Sequence, residues 1–319
     1  MKATSLAANQ PSARKNPIVK NLRTYWMFYL MLLPGIILFV INNYIPMFGI
    51  VIAFKSINYQ DGILGSPWVG MKNFEYLFAS KDSYIIIRNT LLYNSLFIVL
   101  NLVFPLAFAL MLNEMKNRFL SKLHQTLIFL PYFLSMIVIS YLVYGFMSDE
   151  RGYLNSTLLP ALGLEPVRWY FTKEVWPFVL PLINTWKNMG YYMVVYLAAI
   201  IGIDDDYYEA ATIDGASRWQ QMKRITIPLI MPIITIMTLL QIGRIFNADF
   251  GLFFQVPRES GALFSVTNVI DTYVYRTFLT VGDIGLSSAA GLFQSIVGFA
   301  LVFISNWVVR RFNRENALF

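Results

Sequence analysis

Six stretches of this chain run for twenty or more residues with no more than one charged side chain each. A bilayer core asks for about 20 mainly apolar residues per helix. The stretches lie at roughly 26–52, between Arg88 and Glu114, between Lys122 and Asp149, at roughly 176–201, at roughly 227–248, and between Asp283 and Arg310. They are too long for the core helices of a globule and alternate too weakly for barrel strands. The first run is about twice the length of a signal-peptide core and lacks a small-residue cleavage site, so it reads as a span. The expected fold class is an all-α integral membrane protein with six transmembrane helices.

Composition narrows the chemistry. Charged residues make up 13% of the chain and hydrophobic ones 57%, whereas a soluble domain carries about 25% charged residues. There is no Cys and a single His, His124. Thiolate sites, Cys nucleophiles and His-rich metal sites are excluded, and no metal is expected. His124, beside Lys122, is expected at the membrane interface. The net charge of +7 reads as an orientation signal, and no nucleic-acid partner is expected.

Six spans place both ends on one side. That side carries Lys2, Arg14, Lys15, Lys20 and Arg23, then Lys116, Arg118 and Lys122, then Arg218, Lys223 and Arg224, and finally Arg310, Arg311 and Arg314. The opposite segments, 55–88, 148–175 and 249–284, are less basic for their length. Both termini are therefore expected in the cytoplasm. Trp68, Trp169 and Trp176 fall where interfacial aromatics belong.

The 202–226 loop breaks the pattern of its side, with five acidic residues against three basic ones. Asp204–Asp206 suit a helix N-terminus. Tyr207 to Ile213 read as two helical turns and Gly215 as the break. Ser217 caps a second short helix ending at Lys223-Arg224, and Pro228 starts the next span. The expectation is two short helices across the cytoplasmic face, with Ala210 and Ala211 forming a smooth surface.

Glu209-Ala210-Ala211, three residues, Gly215, nine residues, then Ile225-x-Ile227-Pro228 resembles the EAA loop of binding-protein-dependent ABC importer permeases, with Ile227 where the family has Leu. Trp68-Val-Gly-Met-Lys-Asn-Phe74 with Leu77-Phe78, Asn89-Thr90-Leu91 and Phe129-Leu130-Pro131 are similar to segments of carbohydrate permeases, in particular those for oligosaccharides derived from polysaccharides. The resemblance implies a type I ABC importer permease fold over 25–312, between cytoplasmic tails 1–24 and 313–319, in the cytoplasmic membrane of a prokaryote. It implies a coupling loop, 202–228, in which Glu209, Ala210, Ala211, Asp214, Gly215 and Pro228 serve a separate ATPase dimer. It further implies a second, similar but different permease chain, an extracytoplasmic solute-binding protein and an oligosaccharide cargo. No Gly precedes a Lys, so the chain has no G-K-[ST] phosphate loop. No cofactor is expected in this chain, ATP and Mg being bound by the partner ATPase.

Polar residues inside the spans are the candidate substrate path. Asn184, Lys187, Asn188 and Tyr191 share a helical face, and Gln241, Arg244 and Asn247 follow at intervals of three. An intramembrane cation costs at least about 2.5–3.5 kcal/mol, which favours a water-filled cavity; a structural pairing is the other reading, with Asp249 a partner for Arg244. Unpaired, the two cations suit an acidic sugar. Asn94 and Asn101 either bond a partner helix or line the path. An intramembrane protease is excluded, because no Asp lies mid-span and the one His is at a boundary. A secondary transporter leaves the acidic loop unexplained. A permease for a non-sugar solute is the alternative cargo reading.

Overall fold

The computed structural model describes Asn21 and residues 24–312. The tail cations Lys2, Arg14, Lys15, Lys20, Arg23 and Arg314 lie outside the described residues. The chain divides into two units, Met1–Val51 and Ile52–Phe319. The first holds α1 (Trp26–Phe39), which passes into a π turn at Val40–Tyr44. No side chain of α1 is buried, as befits an apolar helix whose solvent is lipid.

The second unit is helical too, with no strand among the described residues beyond an isolated bridge between Lys55 and Trp68. Its main elements are α2 (Lys72–Ala79), α3 (Lys81–Asn113), α4 (Arg118–Phe129), α5 (Met136–Met147), α6 (Trp176–Ile201) and α7 (Asp206–Ile213). After them come α8 (Arg218–Gln221), α9 (Ile227–Gly243), α10 (Phe250–Gln255), α11 (Ile270–Arg276) and α12 (Ile284–Phe312). Among the described residues four helices are long and apolar enough to cross a membrane: Trp26–Phe54, Asp82–Asn113, Arg218–Gly243 and Ile284–Arg311. The pair Arg118–Phe133 and Met136–Met147, bent by 99°, makes a fifth if counted as one broken span. The stretch expected as span four is the 26-residue α6; Asn184, Lys187 and Asn188 in its middle keep it outside that apolar class.

α3 and α6 form the most extensive helix pair, and apolar clusters close both of its ends. One gathers Trp176, Leu180, Tyr93 and Phe97 with Leu252 and Phe253 of α10. The other gathers Ala109, Leu112, Met193, Tyr196 and Leu197 with Ile230 and Ile234 of α9. Where α6 crosses the end of α4 the backbones nearly touch: a Cβ on Gly190 would lie 2.4 Å from Phe129 Cα.

One expectation fails here. Trp176 is no interfacial anchor, being fully buried, with its Nε1 donating to Trp169 O at 2.9 Å. The segment 68–78 is held to the chain before it: buried Asn73 donates to Ala53 O at 2.9 Å and Lys55 O at 3.0 Å. Asn89 and Thr90 likewise fasten α3 to the segment 268–270, Asn89 donating to Asn268 O and Thr90 Oγ1 accepting from Ile270 N–H.

Candidate functional site

The acidic loop builds its own first helix. Asp204 Oδ1 accepts from Asp206 N–H, fixing the start of α7. Gly215, at φ +77°, ends it, with Gly215 N–H bonded to Thr212 O and Ala216 N–H to Ala211 O. That left-handed closure is the one glycine favours. Two side chains one turn apart then pin α7 from beneath: Tyr208 Oη meets Thr226 Oγ1 at 2.9 Å, and buried Gln221 donates to Thr212 Oγ1 at 2.9 Å. Glu209 and Ala210 stay exposed on the opposite side. Ala211, Asp214 and Gly215 line a hollow of about 370 Å³ with Gln220, Gln221 and Arg224.

The second half of the loop departs from the expected pair of short helices. Ser217 does cap α8, in a reciprocal box with Gln220. The helix does not stop at Lys223-Arg224, however; it runs from Arg218 to Gly243 without a break. A π turn at Met222–Thr226, closed by Ile227 N–H on Met222 O, joins α8 to α9. Lys223 and Arg224 therefore serve no C-terminus, and Pro228 lies inside a continuous helix. Its missing N–H falls in the first turn of α9, just past the slip in hydrogen-bond register.

The polar residues of the spans converge on one cavity of about 670 Å³ between α3, α6 and α9. Asn184, Asn188, Tyr191 and Tyr192 line it from α6, Asn94 and Asn101 from α3, and Gln241, Arg244 and Asn247 from the end of α9 and beyond. Asn94 and Asn101 thus do both things expected of them. They line the cavity and also bond across it, Asn94 to Ile245 O at 2.7 Å and Asn101 to Gln241 Oε1 at 3.5 Å.

Lys187 is not in the cavity wall. Its Nζ donates to Leu134 O at 2.6 Å and Tyr132 O at 3.1 Å. These carbonyls are exposed by the break between α4 and α5, where a cation at a helix C-terminus is stabilising. Tyr132 in turn stacks on Tyr191, ring centroids 5.2 Å apart. Lys187 therefore closes a broken helix against α6 and is not among the residues that line the cavity.

Arg244 and Asn247 are also placed differently, because α9 ends at Gly243. They sit on a non-helical turn whose backbone is satisfied from three helices. Asn94 takes Ile245 O, Gln294 of α12 takes Phe246 O at 2.8 Å, and Asp271 Oδ2 of α11 accepts from Ala248 N–H at 2.7 Å. Burial lifts the Asp271 carboxyl above the ordinary carboxylate range, against the Ala248 and Gln294 donors, which pull it down. Asp249 does not neutralise Arg244; its Oδ1 accepts from Leu252 N–H as the cap of α10. Asp271 and Gln294 went unnoticed in the sequence, since nothing local ties them to residues 244–249.

Several known proteins resemble this chain. Residues 101–315 match the family model described as binding-protein-dependent transport system inner membrane component. A polygalacturonan/rhamnogalacturonan transport system permease protein of Bacillus subtilis (strain 168) is 34% identical over 302 residues, covering 95% of this chain and 93% of that one. An arabinooligosaccharides transport system permease of Halalkalibacterium halodurans is 27% identical, covering 86% and 84%. A chain from the crystal structure of a bacterial ABC transporter involved in the import of the acidic polysaccharide alginate superposes with a TM-score of 0.85 at 34% identity, over 93% of this chain and 100% of that one. A second structure, of an alginate ABC transporter in complex with its alginate pentasaccharide-bound periplasmic protein, gives a TM-score of 0.84 at 33% identity, over 93% and 98%.

Proposed function

Because the chain belongs to the inner membrane components of binding-protein-dependent transport systems, we propose that it is the permease subunit of an ATP-driven importer for oligosaccharides. The observation that carries the cargo class is the cavity itself. Amide side chains from three helices, with Tyr191 and Tyr192 beside them, offer the donors, acceptors and flat rings that a glycan uses. The relatives that transport polygalacturonan, rhamnogalacturonan, arabinooligosaccharides and alginate support the same reading.

In this reading α6 is a true span, paid for by its cavity-facing polar side, and six spans leave both termini in the cytoplasm. The exposed face of α7, with Glu209, Ala210 and Ala211, docks into a cleft of a separate ATPase, and Asp214, Gly215 and Pro228 set its angle. ATP and Mg are bound by that ATPase. A second permease completes the cavity, and an extracytoplasmic binding protein delivers the cargo. The test is uptake into proteoliposomes holding the assembled transporter. Uptake should need ATP and the binding protein, and Glu209→Lys should abolish it while the chain stays inserted; ATP-independent uptake would overturn the proposal. A tag after Phe319 should be protected in sealed, right-side-out cells and one within 148–175 accessible, the reverse pattern refuting the orientation.

A further inference from the structure

The cavity contains a cation that nothing among the described residues neutralises. The Arg244 guanidinium lines it, and among the described residues it makes no side-chain hydrogen bond or ion pair. The other intramembrane cation is spent, Lys187 being bound to two carbonyls. The carboxylate nearest in sequence, Asp249, also lines the cavity but holds the N–H of Leu252. Two buried amide groups in the same wall are unmet as well: Asn101 Oδ1, an acceptor, and Asn184 Nδ2, a donor. These residues are only 5% and 4% exposed. A hydroxyl both donates and accepts, and so meets both demands.

The turn bearing Arg244 is held too firmly to be an accident of helix termination. Carbonyls 245 and 246 and the N–H of residue 248 are each taken by a side chain from a different helix, namely Asn94, Gln294 and Asp271. Such fixing places the guanidinium before any cargo arrives, which is how recognition groups are preorganised. A neutral cargo filling the cavity would strip water from an unpaired charge and give nothing back for it. A carboxylate replaces that water with a two-pronged, charge-assisted contact.

We infer that the cargo is an acidic oligosaccharide, that Arg244 reads one of its carboxylates, and that Gln294 and Asp271 are positioning residues for Arg244. This rests on the oligosaccharide reading above. Asn101 and Asn184 bind hydroxyls and are indifferent to cargo charge.

The test uses the complete transporter in nanodiscs, without binding protein, titrated with trigalacturonate and trimannuronate and with the methyl ester of each, which keeps the sugar and removes the charge. Wild type should bind an acid at least about tenfold more tightly than its ester, the scale of one charged hydrogen-bonded contact. Arg244→Gln should erase that ratio by weakening the acid alone. Gln294→Leu should shrink the ratio, and should shrink it no further in the Arg244→Gln background. Asn184→Ala should weaken acid and ester alike. Equal wild-type binding of acid and ester, no binding of either, or an unchanged ratio in Arg244→Gln would overturn the inference. So would an Arg244→Gln complex that falls apart while wild type shows no acid preference. The oligosaccharide reading fails separately, if proteoliposomes with the binding protein take up neither these trimers nor maltotriose in an ATP-dependent way.

Discussion

The two ends of the helix that runs from Arg218 to Gly243 are built on opposite principles. Its start is held by neighbours: the Ser217–Gln220 box, the Gly215 closure, and contacts from Gln221 and Thr226 to α7, none spanning more than 18 residues. Its end is held by strangers. Asn94 reaches Ile245 from 151 residues away and Gln294 reaches Phe246 from 48. A locally bonded end keeps its shape when it moves against a partner, as the coupling role proposed for it requires. An end tied to several helices keeps its shape only while those helices stay in place, which suits a wall that must report their arrangement.

The sharpest way to break this contrast is to disturb the packing behind the cavity. Gly190→Val puts branched carbons into the Ile128–Phe129 backbone, and overpacking costs about 1–3 kcal/mol or more. We expect loss of assembled transporter, measured by size-exclusion yield and melting temperature, with uptake lost in consequence. At the other end, Gly215→Val meets open space and only backbone strain at φ +77°, roughly 1–2 kcal/mol. It should assemble near wild-type yield yet fail to transport or to stimulate ATP hydrolysis; normal uptake would remove the coupling role from this loop.

Lys187→Met removes two hydrogen bonds from a charged donor, one exposed to Tyr132 O and one part-buried to Leu134 O, a loss of at most about 1.5–3 kcal/mol. Thermal stability should fall while the ratio of acid to neutral cargo affinity stays at the wild-type value. A changed ratio would put Lys187 back in the substrate path. The smallest effect belongs to Arg218→Ala, which removes an exposed ion pair with Glu114 at 3.8 Å. Such pairs contribute at most about 1 kcal/mol, so the melting temperature should hardly move, and a large drop would show that the start of the helix is less self-sufficient than its bonds suggest.

The same contrast explains what could be read from the sequence. The α7 loop was legible because Asp204, Gly215 and Ser217 act within a few residues of themselves. Asn184, Asn188 and Tyr191 were legible as a face because helical periodicity alone brings them together. Lys187 stays out of the cavity lining because it lies about 60° around the helix from Asn184 and about 100° from Asn188. It is at the edge of that face, where the break in the neighbouring span supplies carbonyls that Pro131 only hints at. Arg244 and Asn247 were found, but on a helix that in fact ends at Gly243. The tertiary bonds that stop it there leave no local pattern.

The π turn at Met222–Thr226 sets the azimuth of everything before it. Buried residues step along the helix as Gln221, Thr226, Ile230, Ile234 and Leu239, and the interval of five from Gln221 to Thr226 spans the π turn, so one face is kept through a local unwinding. Tightening that turn to ordinary α geometry would rotate α8 by roughly a quarter of a revolution relative to the span. It would carry Gln221 away from Thr212, and the exposed flank of α7 would come to face a new direction without any loop having changed its path.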